Sequence, residues 1–297
     1  MRIASLVPSS TEMLFALGFG DQVVAVTHEC DFPPEASRLP HLSETVIPPG
    51  LSPAEIDAEV KRLLGRGEPL YRLKADVLES VRPDLIVAQD VCAVCAVSYD
   101  DVVSIAARLP GGPTVLRQDP TNLAEVLDNA LEVAEAVGDP AAGIALKNEM
   151  EARIEAVRSA VEDRERPTVL AIEWLDPPFT GGHWVPEMIE LAGGRDLIGR
   201  AGEKSAETTW PELEGLAPDL AVIMPCGYDA EMAADQAREY ADRIDSTGAR
   251  RVAAVDAAAS FSRPGPRLID GIELLGSLIH PEAVPVPAGL RALTTRG

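Results

Sequence analysis

The sequence predicts an α/β fold of two related lobes with central parallel sheets, joined by one long α-helix. Three observations predict it. Short apolar runs alternate with longer helical patterns in both halves of the chain. The middle, Asn122 to Arg166, shows a helical pattern and no strand. Arg82-Pro83-Asp84-Leu85-Ile86-Val87 recurs as Ala217-Pro218-Asp219-Leu220-Ala221-Val222, each a short helix feeding a buried strand. A looser echo links Gly20-Asp21-Gln22-Val23-Val24 to Gly194-Arg195-Asp196-Leu197-Ile198.

In the first lobe the apolar runs place strands at Arg2–Val7, Val23–Thr27, Leu85–Ala88 and Thr114–Leu116. Helices fall at Ser10–Leu17, Ser52–Leu64, Ala75–Ser80 and Tyr99–Arg108. Gly138-Asp139-Pro140 breaks the middle, because Gly ends one helix and Pro opens the next. The second helix, Pro140 to about Asp163, spans about 36 Å at 1.5 Å per residue. In the last lobe strands are expected at Val169–Trp174, Leu220–Met224 and Val252–Val255. Helices there are expected at Pro186–Ala192, Pro211–Leu216, Ala230–Arg243 and Leu268–Ile279. The division is thus 1–118, a helical connector 119–165, and 166–297.

The 297 residues carry 48 acidic and 26 basic side chains, a net charge of −22. Such a surface repels nucleic acid and anionic lipid, so neither is an expected partner. No apolar run reaches the 18 or more residues of a membrane span. The chain opens directly on its first strand without a secretory signal, which reads as cytoplasmic, or as extracytoplasmic if the start lies upstream. Four cysteines (Cys30, Cys92, Cys95, Cys226) are too few for a disulfide scaffold. Cys92-Ala93-Val94-Cys95 reads as a redox pair, half a zinc site, or a passive loop pair; the second close pair that a zinc site wants is absent.

In parallel sheets ligands bind beyond the carboxyl ends of strands. Those ends carry Ser9 and Ser10, whose hydroxyls are placed to cap the next helix, then His28, Glu29 and Phe32, then Gln89 and Asp90. In the last lobe they carry Trp174, Asp176 and Phe179, then Tyr228, then Phe261. Only 4% of residues are aromatic, and eight of the twelve, Tyr71, Trp184 and Trp210 among them, fall in loops. A chain with few internal aromatics and many at strand ends reads as lining a cleft for a large, flat, partly apolar ligand. The plainer reading is that these aromatics anchor loops.

Enzyme motifs are absent: there is no Gly-x-Ser-x-Gly, Walker A loop or Gly-x-Gly-x-x-Gly after the first strand. Asp256 and Asp270 lack any spacing that points to acid–base work. His28 and His183, with Glu29 or Asp176, have the chemistry to hold a transition metal, though lone loop histidines commonly serve as polar rim. His41 and His280, each beside a proline, read as structural. No catalytic residue and no metal ligand is assigned.

Ser5-Leu6-Val7-Pro8-Ser9-Ser10-Thr11-Glu12, Asp31-Phe32-Pro33-Pro34 and Pro177-Pro178-Phe179-Thr180-Gly181-Gly182 resemble the helical-spine class of periplasmic substrate-binding proteins. Thr209-Trp210-Pro211 and Pro266-Arg267 extend the likeness, which runs from Ile3 to about Leu278. Within the class the chain is most similar to the cobalamin-binding proteins of ABC importers; other members bind ferric siderophores, haem or metal ions.

The resemblance implies two Rossmann-like lobes, one ligand in the cleft between them, no required cofactor, and an ABC transporter permease as partner. It implies a corrinoid packed against aromatics from both lobes: His28, Glu29 and Phe32 in one, and Phe179, Trp210 and Phe261 in the other, with Trp174, His183 and Trp184 beside them. Asp76 and Glu212, at matching helix starts, are the implied transporter-docking acids; the alternative is ordinary helix capping. For a cytoplasmic relative, intracellular corrinoid carriage replaces uptake. The rival from another class is a metal- or thiol-using enzyme built on Cys92, Cys95 and His28.

Overall fold

A computed structural model describes residues 1–89, 97–290 and 292–296. The chain divides into two compact units, Met1–Pro120 with Glu125–Asn148, and Thr121–Ala124 with Glu149–Gly297.

The first unit opens on β1 (Ile3–Ser5), α1 (Pro8–Ala16) and β2 (Val23–Ala25). A small antiparallel pair follows, β3 (Ser43–Thr45) and β4 (Tyr71–Leu73), with α2 (Pro53–Gly65) inserted between its strands. The chain continues through α3 (Ala75–Val81), β5 (Leu85–Gln89), α4 (Tyr99–Ala106) and β6 (Thr114–Gln118). The main sheet has the order β2-β1-β5-β6, parallel throughout. Its central strands are apolar on both faces, as a covered parallel sheet requires: Leu85, Ile86, Val87 and Ala88 are all buried. One face packs Ala4, Leu6, Ile86 and Ala88 against Leu78 and Val81 of α3 and Val102 and Ala106 of α4.

Two long helices follow, α5 (Leu123–Val137) and α6 (Pro140–Val161). Gly138 makes the break with φ +95°, and Asp139 Oδ1 accepts from Ala142 N at 3.3 Å to start the second helix. Most of α5 and the first part of α6 belong to the first unit, and α6 from Glu149 onward to the second.

The second unit contains β7 (Thr168–Leu175), β8 (Pro178–Thr180), α7 (Val185–Leu191), β9 (Arg195–Asp196), α8 (Trp210–Leu213) and β10 (Leu220–Ile223). Then come α9 (Ala230–Glu239), α10 (Ala241–Ser246), β11 (Val252–Ala254), α11 (Ala257–Ser260), α12 (Leu268–Ile279) and β12 (Leu293–Arg296). Strands β9-β7-β10-β11 are parallel, in the same order as the first unit; β8 and β12 add antiparallel edges. Leu170, Ile172, Ala221, Ile223, Val252 and Ala254 pack against the alanines of α9 and Ile244 of α10. In α12 Arg153 of α6 is clamped, its guanidinium donating to Asp270 at 2.6 Å and to Glu273 at 2.7 and 2.8 Å.

The repeated Pro-Asp step is one structure used twice. Arg82, the C-cap of α3, and Ala217, four residues past the end of α8, both take positive φ (43° and 48°). The aspartate two residues later then reaches a backbone N–H at the start of its unit's first strand. Asp84 Oδ2 accepts from Arg2 N at 2.7 Å, and Asp219 Oδ2 accepts from Thr168 N and Oγ1, both at 2.8 Å. The Thr168 bonds hold the Asp219 carboxyl below the usual range. A depressed carboxyl stabilises the native state above its unfolded value of about 3.9, and that contribution is lost as pH falls through the native one. Asp219→Ala orphans the Thr168 N–H and is expected to cost about 1–3 kcal/mol, read as a lower denaturant midpoint for the second unit. The loss should shrink below pH 4, and Asp219→Asn, which keeps an acceptor, should recover most of it.

Candidate functional site

In the first unit the chain leaves β1 straight into α1, with Pro8 at the first helical position and Val7 as the N-cap, which makes no side-chain capping bond. The expectation that Ser9 and Ser10 cap this helix is corrected here. Both lie inside the helix and are buried, and Ser10 Oγ donates to Gln118 Oε1 at 2.9 Å. The helix starts two residues early because proline supplies the start.

Beyond β2, His28 Nδ1 lies 2.8 Å from Ser43 Oγ, and its ring packs 5.8 Å from the Tyr71 ring at 46°. Tyr71 donates its hydroxyl to Glu29 Oε1 at 3.3 Å. Three sequence candidates therefore meet through the β3–β4 pair, lining a shallow cavity of about 200 Å³, open solvent included. Burial pushes the His28 imidazole below its ordinary pKa, partly opposed by Glu29 and reinforced by His41 and Lys74. Phe32 is 43% exposed, Gln89 is half-buried, and Asp76 stands exposed in the first turn of α3. Asp90, Cys92 and Cys95 lie outside the described residues.

In the second unit β7 and β8 form a hairpin that sets Trp174 opposite Phe179. Tyr228, after β10, meets the Trp174 ring edge-on at 5.7 Å. Trp210 opens α8 with its indole stacked on Tyr240 (6.4 Å, 17°) and its N–H donating to Leu175 O at 3.2 Å. Tyr240 in turn donates to Asp176 Oδ2 at 3.2 Å, and burial with the neighbouring Asp176 pushes its phenol up to about 12. Trp174, Phe179, Trp210 and Tyr228 are all half-buried, so the β7–β10 end of this sheet brings together four of the expected aromatics.

Trp184 and Phe261 do not stand at a rim. They are 5% and 2% exposed, and the Trp184 indole donates to Phe261 O at 2.7 Å. Their loops fold back onto α12, and the plainer loop-anchor reading describes both. His183 sits beside Trp184 with φ 49°, its ring 5.3 Å away, and burial and Lys204 push its pKa down. Glu212 closes a capping box, accepting from Thr209 N at 3.0 Å, Thr209 Oγ1 at 2.9 Å and Thr208 Oγ1 at 3.0 Å. These bonds hold its carboxyl below the usual range. His280 is buried, its Nε2 3.2 Å from Gly193 O, in the structural role expected of it.

One polar residue escaped the sequence reading. Glu173, within the apolar run of β7, accepts from Gly182 N at 3.1 Å and from the Ser205 hydroxyl. Burial, with Asp196 nearby, pushes its carboxyl up to about 7. An ionisable side chain inside a buried-strand pattern was the available signal. Among the described residues no group of three or more His, Cys, Asp or Glu could hold a metal ion, and no helix is long and apolar enough to cross a membrane.

Two parallel α/β units of like strand order, with half-buried aromatics at the strand ends of the second, define the chain as a two-lobed ligand-binding protein of the substrate-binding type. Residues 3–260 match the model of the periplasmic binding protein family, and the chain belongs to that family. It is 25% identical over 293 residues to YvrC of Bacillus subtilis, an uncharacterized ABC transporter substrate-binding lipoprotein, covering 95% of this chain and 80% of that protein. It is 22% identical over 277 residues to the vitamin B12-binding protein of Vibrio cholerae, covering 92% of this chain and 86% of that one. A periplasmic heme-binding protein of Pseudomonas aeruginosa shares the fold, with a TM-score of 0.75 at 18% identity, over 100% of this chain and 99% of that one. The family resemblance read from the sequence motifs, and the α/β class, are thereby borne out.

Proposed function

We propose that this protein binds cobalamin or a related corrinoid without turning it over and hands it to an ABC transporter permease. The observation that carries the reading is the Trp210–Tyr240 stack. Tyr240 supports one face of a half-buried indole, and a flat macrocycle takes the other. Trp174, Phe179 and Tyr228 line the same strand ends of the second unit. The likeness to a vitamin B12-binding protein along 92% of the chain supports the choice of ligand. Haem is the second reading, favoured by the full-length structural likeness to a heme-binding protein.

Titration with cyanocobalamin and with hemin, each followed by tryptophan quenching and by the ligand's visible spectrum, tests the choice. Saturable quenching by cyanocobalamin at micromolar concentration or below, with the corrinoid recovered unchanged, is the expected result. Saturation by hemin alone would transfer the assignment to haem, and a chemically altered corrinoid would overturn the non-enzymatic reading.

A further inference from the structure

We infer that Glu173 is a positioning residue whose protonation sets how firmly segment 202–208, and with it Trp210, is held to the β7–β8 hairpin. This rests on the reading of Trp210 as a ligand contact. Segment 202–208 docks along β8 and the loop after it through backbone bonds: Gly202 N to His183 O at 2.9 Å, Thr180 N to Ala206 O at 2.9 Å and Thr208 N to Pro178 O at 2.8 Å. Trp210 follows two residues later. Glu173 is the side chain beneath this seam. It takes Gly182 N–H from the loop after β8 with one oxygen and the Ser205 hydroxyl from the segment with the other, while its carbonyl takes Cys226 N–H at 3.0 Å from the loop carrying Tyr228. The approach leaves no slack: a methyl on Gly182 would overlap the backbone of Lys204 and Ser205.

Among the described residues the side chain accepts from neutral donors only and forms no ion pair. The charge that acts on it is another acid, Asp196 of β9, itself pushed up by burial. Among the described residues, His183 in the loop after β8 and Lys204 in the segment make no bond to it. A charged carboxylate is therefore disfavoured while the segment is docked and relieved when the segment lifts into water. With the docked value near 7 and the open value near 4.3, the docked form holds a proton that the open form releases. Docking is thus tightest in acid, loosens by up to about tenfold per pH unit toward pH 7, and levels off above it. Glu173→Gln copies the protonated form, its amide donating to Ser205 Oγ and its carbonyl accepting from Gly182.

Hydrogen exchange on the ligand-free protein from pH 5 to 8, corrected for intrinsic rates, reads this directly at Gly202, Thr180 and Thr208. Wild-type protection should fall between pH 5 and 7 and then level, whereas Glu173→Gln should stay high and flat. Ser205→Ala, which removes the hydroxyl partner of Glu173, should lower protection of Gly202 and Thr208 at pH 5. The same slope in Glu173→Gln as in wild type, or wild-type protection in Ser205→Ala, overturns the inference. Cyanocobalamin affinity is measured in parallel, and wild type should lose affinity from pH 5 to 7 while Glu173→Gln does not. A wild-type protein that fails to bind cyanocobalamin at any pH defeats the ligand reading, while the exchange data still decide the latch.

Discussion

Trp210→Ala should weaken cobalamin binding by about 30- to 150-fold. An indole face laid on a macrocycle removes on the order of 100 Å² of apolar surface from water, worth about 2–3 kcal/mol, which converts to that factor. The sequence placed Trp210 in a loop, whereas in the structure it opens α8. Trp210 also packs against the core of the second unit, stacks on Tyr240 and donates to Leu175 O. Truncation should therefore lower the stability of this unit by about 1–3 kcal/mol as well. Calorimetric titration at a temperature where the variant is fully folded separates the two effects. Trp210→Phe keeps a ring on Tyr240 and should lose affinity by less. Binding within threefold of wild type in Trp210→Ala would remove this residue from the site.

Gly271→Ala is expected to destabilise the second unit despite adding only a methyl. The methyl would overlap the carbonyl oxygen of Ser260 and come within 2.7 Å of Met188 Cε. Methionine can swing away, but the Ser260 carbonyl is backbone and cannot, so α12 must back off from α11. Overpacking of this kind costs about 1–3 kcal/mol or more, against about 1 kcal/mol gained in helix propensity. The expected net result is a fall of several degrees in the melting temperature of the second unit, with Trp184 disturbed through Phe261. A variant that melts with wild type would show that α12 has freedom the packing denies it.

The parallel strands were legible because burial on both faces writes itself as unbroken apolar runs, as in Leu85–Gln89 and Leu220–Ile223. Helix α12 was legible to the residue, since its apolar face is broad. What escaped were elements whose partners are distant and whose own sequence is mixed. Strands β3 and β4 are three residues each, separated by a whole helix, and β9 is only two residues long. The stretch read as one helix from Ala230 to Arg243 is two, because Tyr240 leaves helical geometry (φ −99°, ψ 21°) to place its ring under Trp210. At the site, strand-end position was legible and side-chain direction was not. Trp184 and Phe261 occupy loops yet turn inward, because a loop after a strand can fold back onto its own helices. Glu173 was not legible as a site residue because it lies within β7 and not at the strand's end.

The strand order has a consequence for biosynthesis. In both sheets the first strand made lies in the interior, with β1 flanked by β2 and β5, and β7 by β9 and β10. A ribosome that has delivered Ile3–Ser5 must therefore extend the nascent chain past Val87 before that strand has both neighbours and Arg2 N–H meets Asp84. The second sheet repeats the wait on a shorter scale, from Thr168 to Asp219. Each Pro-Asp turn thus arrives late and brings in the strand that covers the open edge of β1 or β7. Chains arrested just before Asp84 or Asp219 should leave a central strand with one open edge, the species a chaperone would hold.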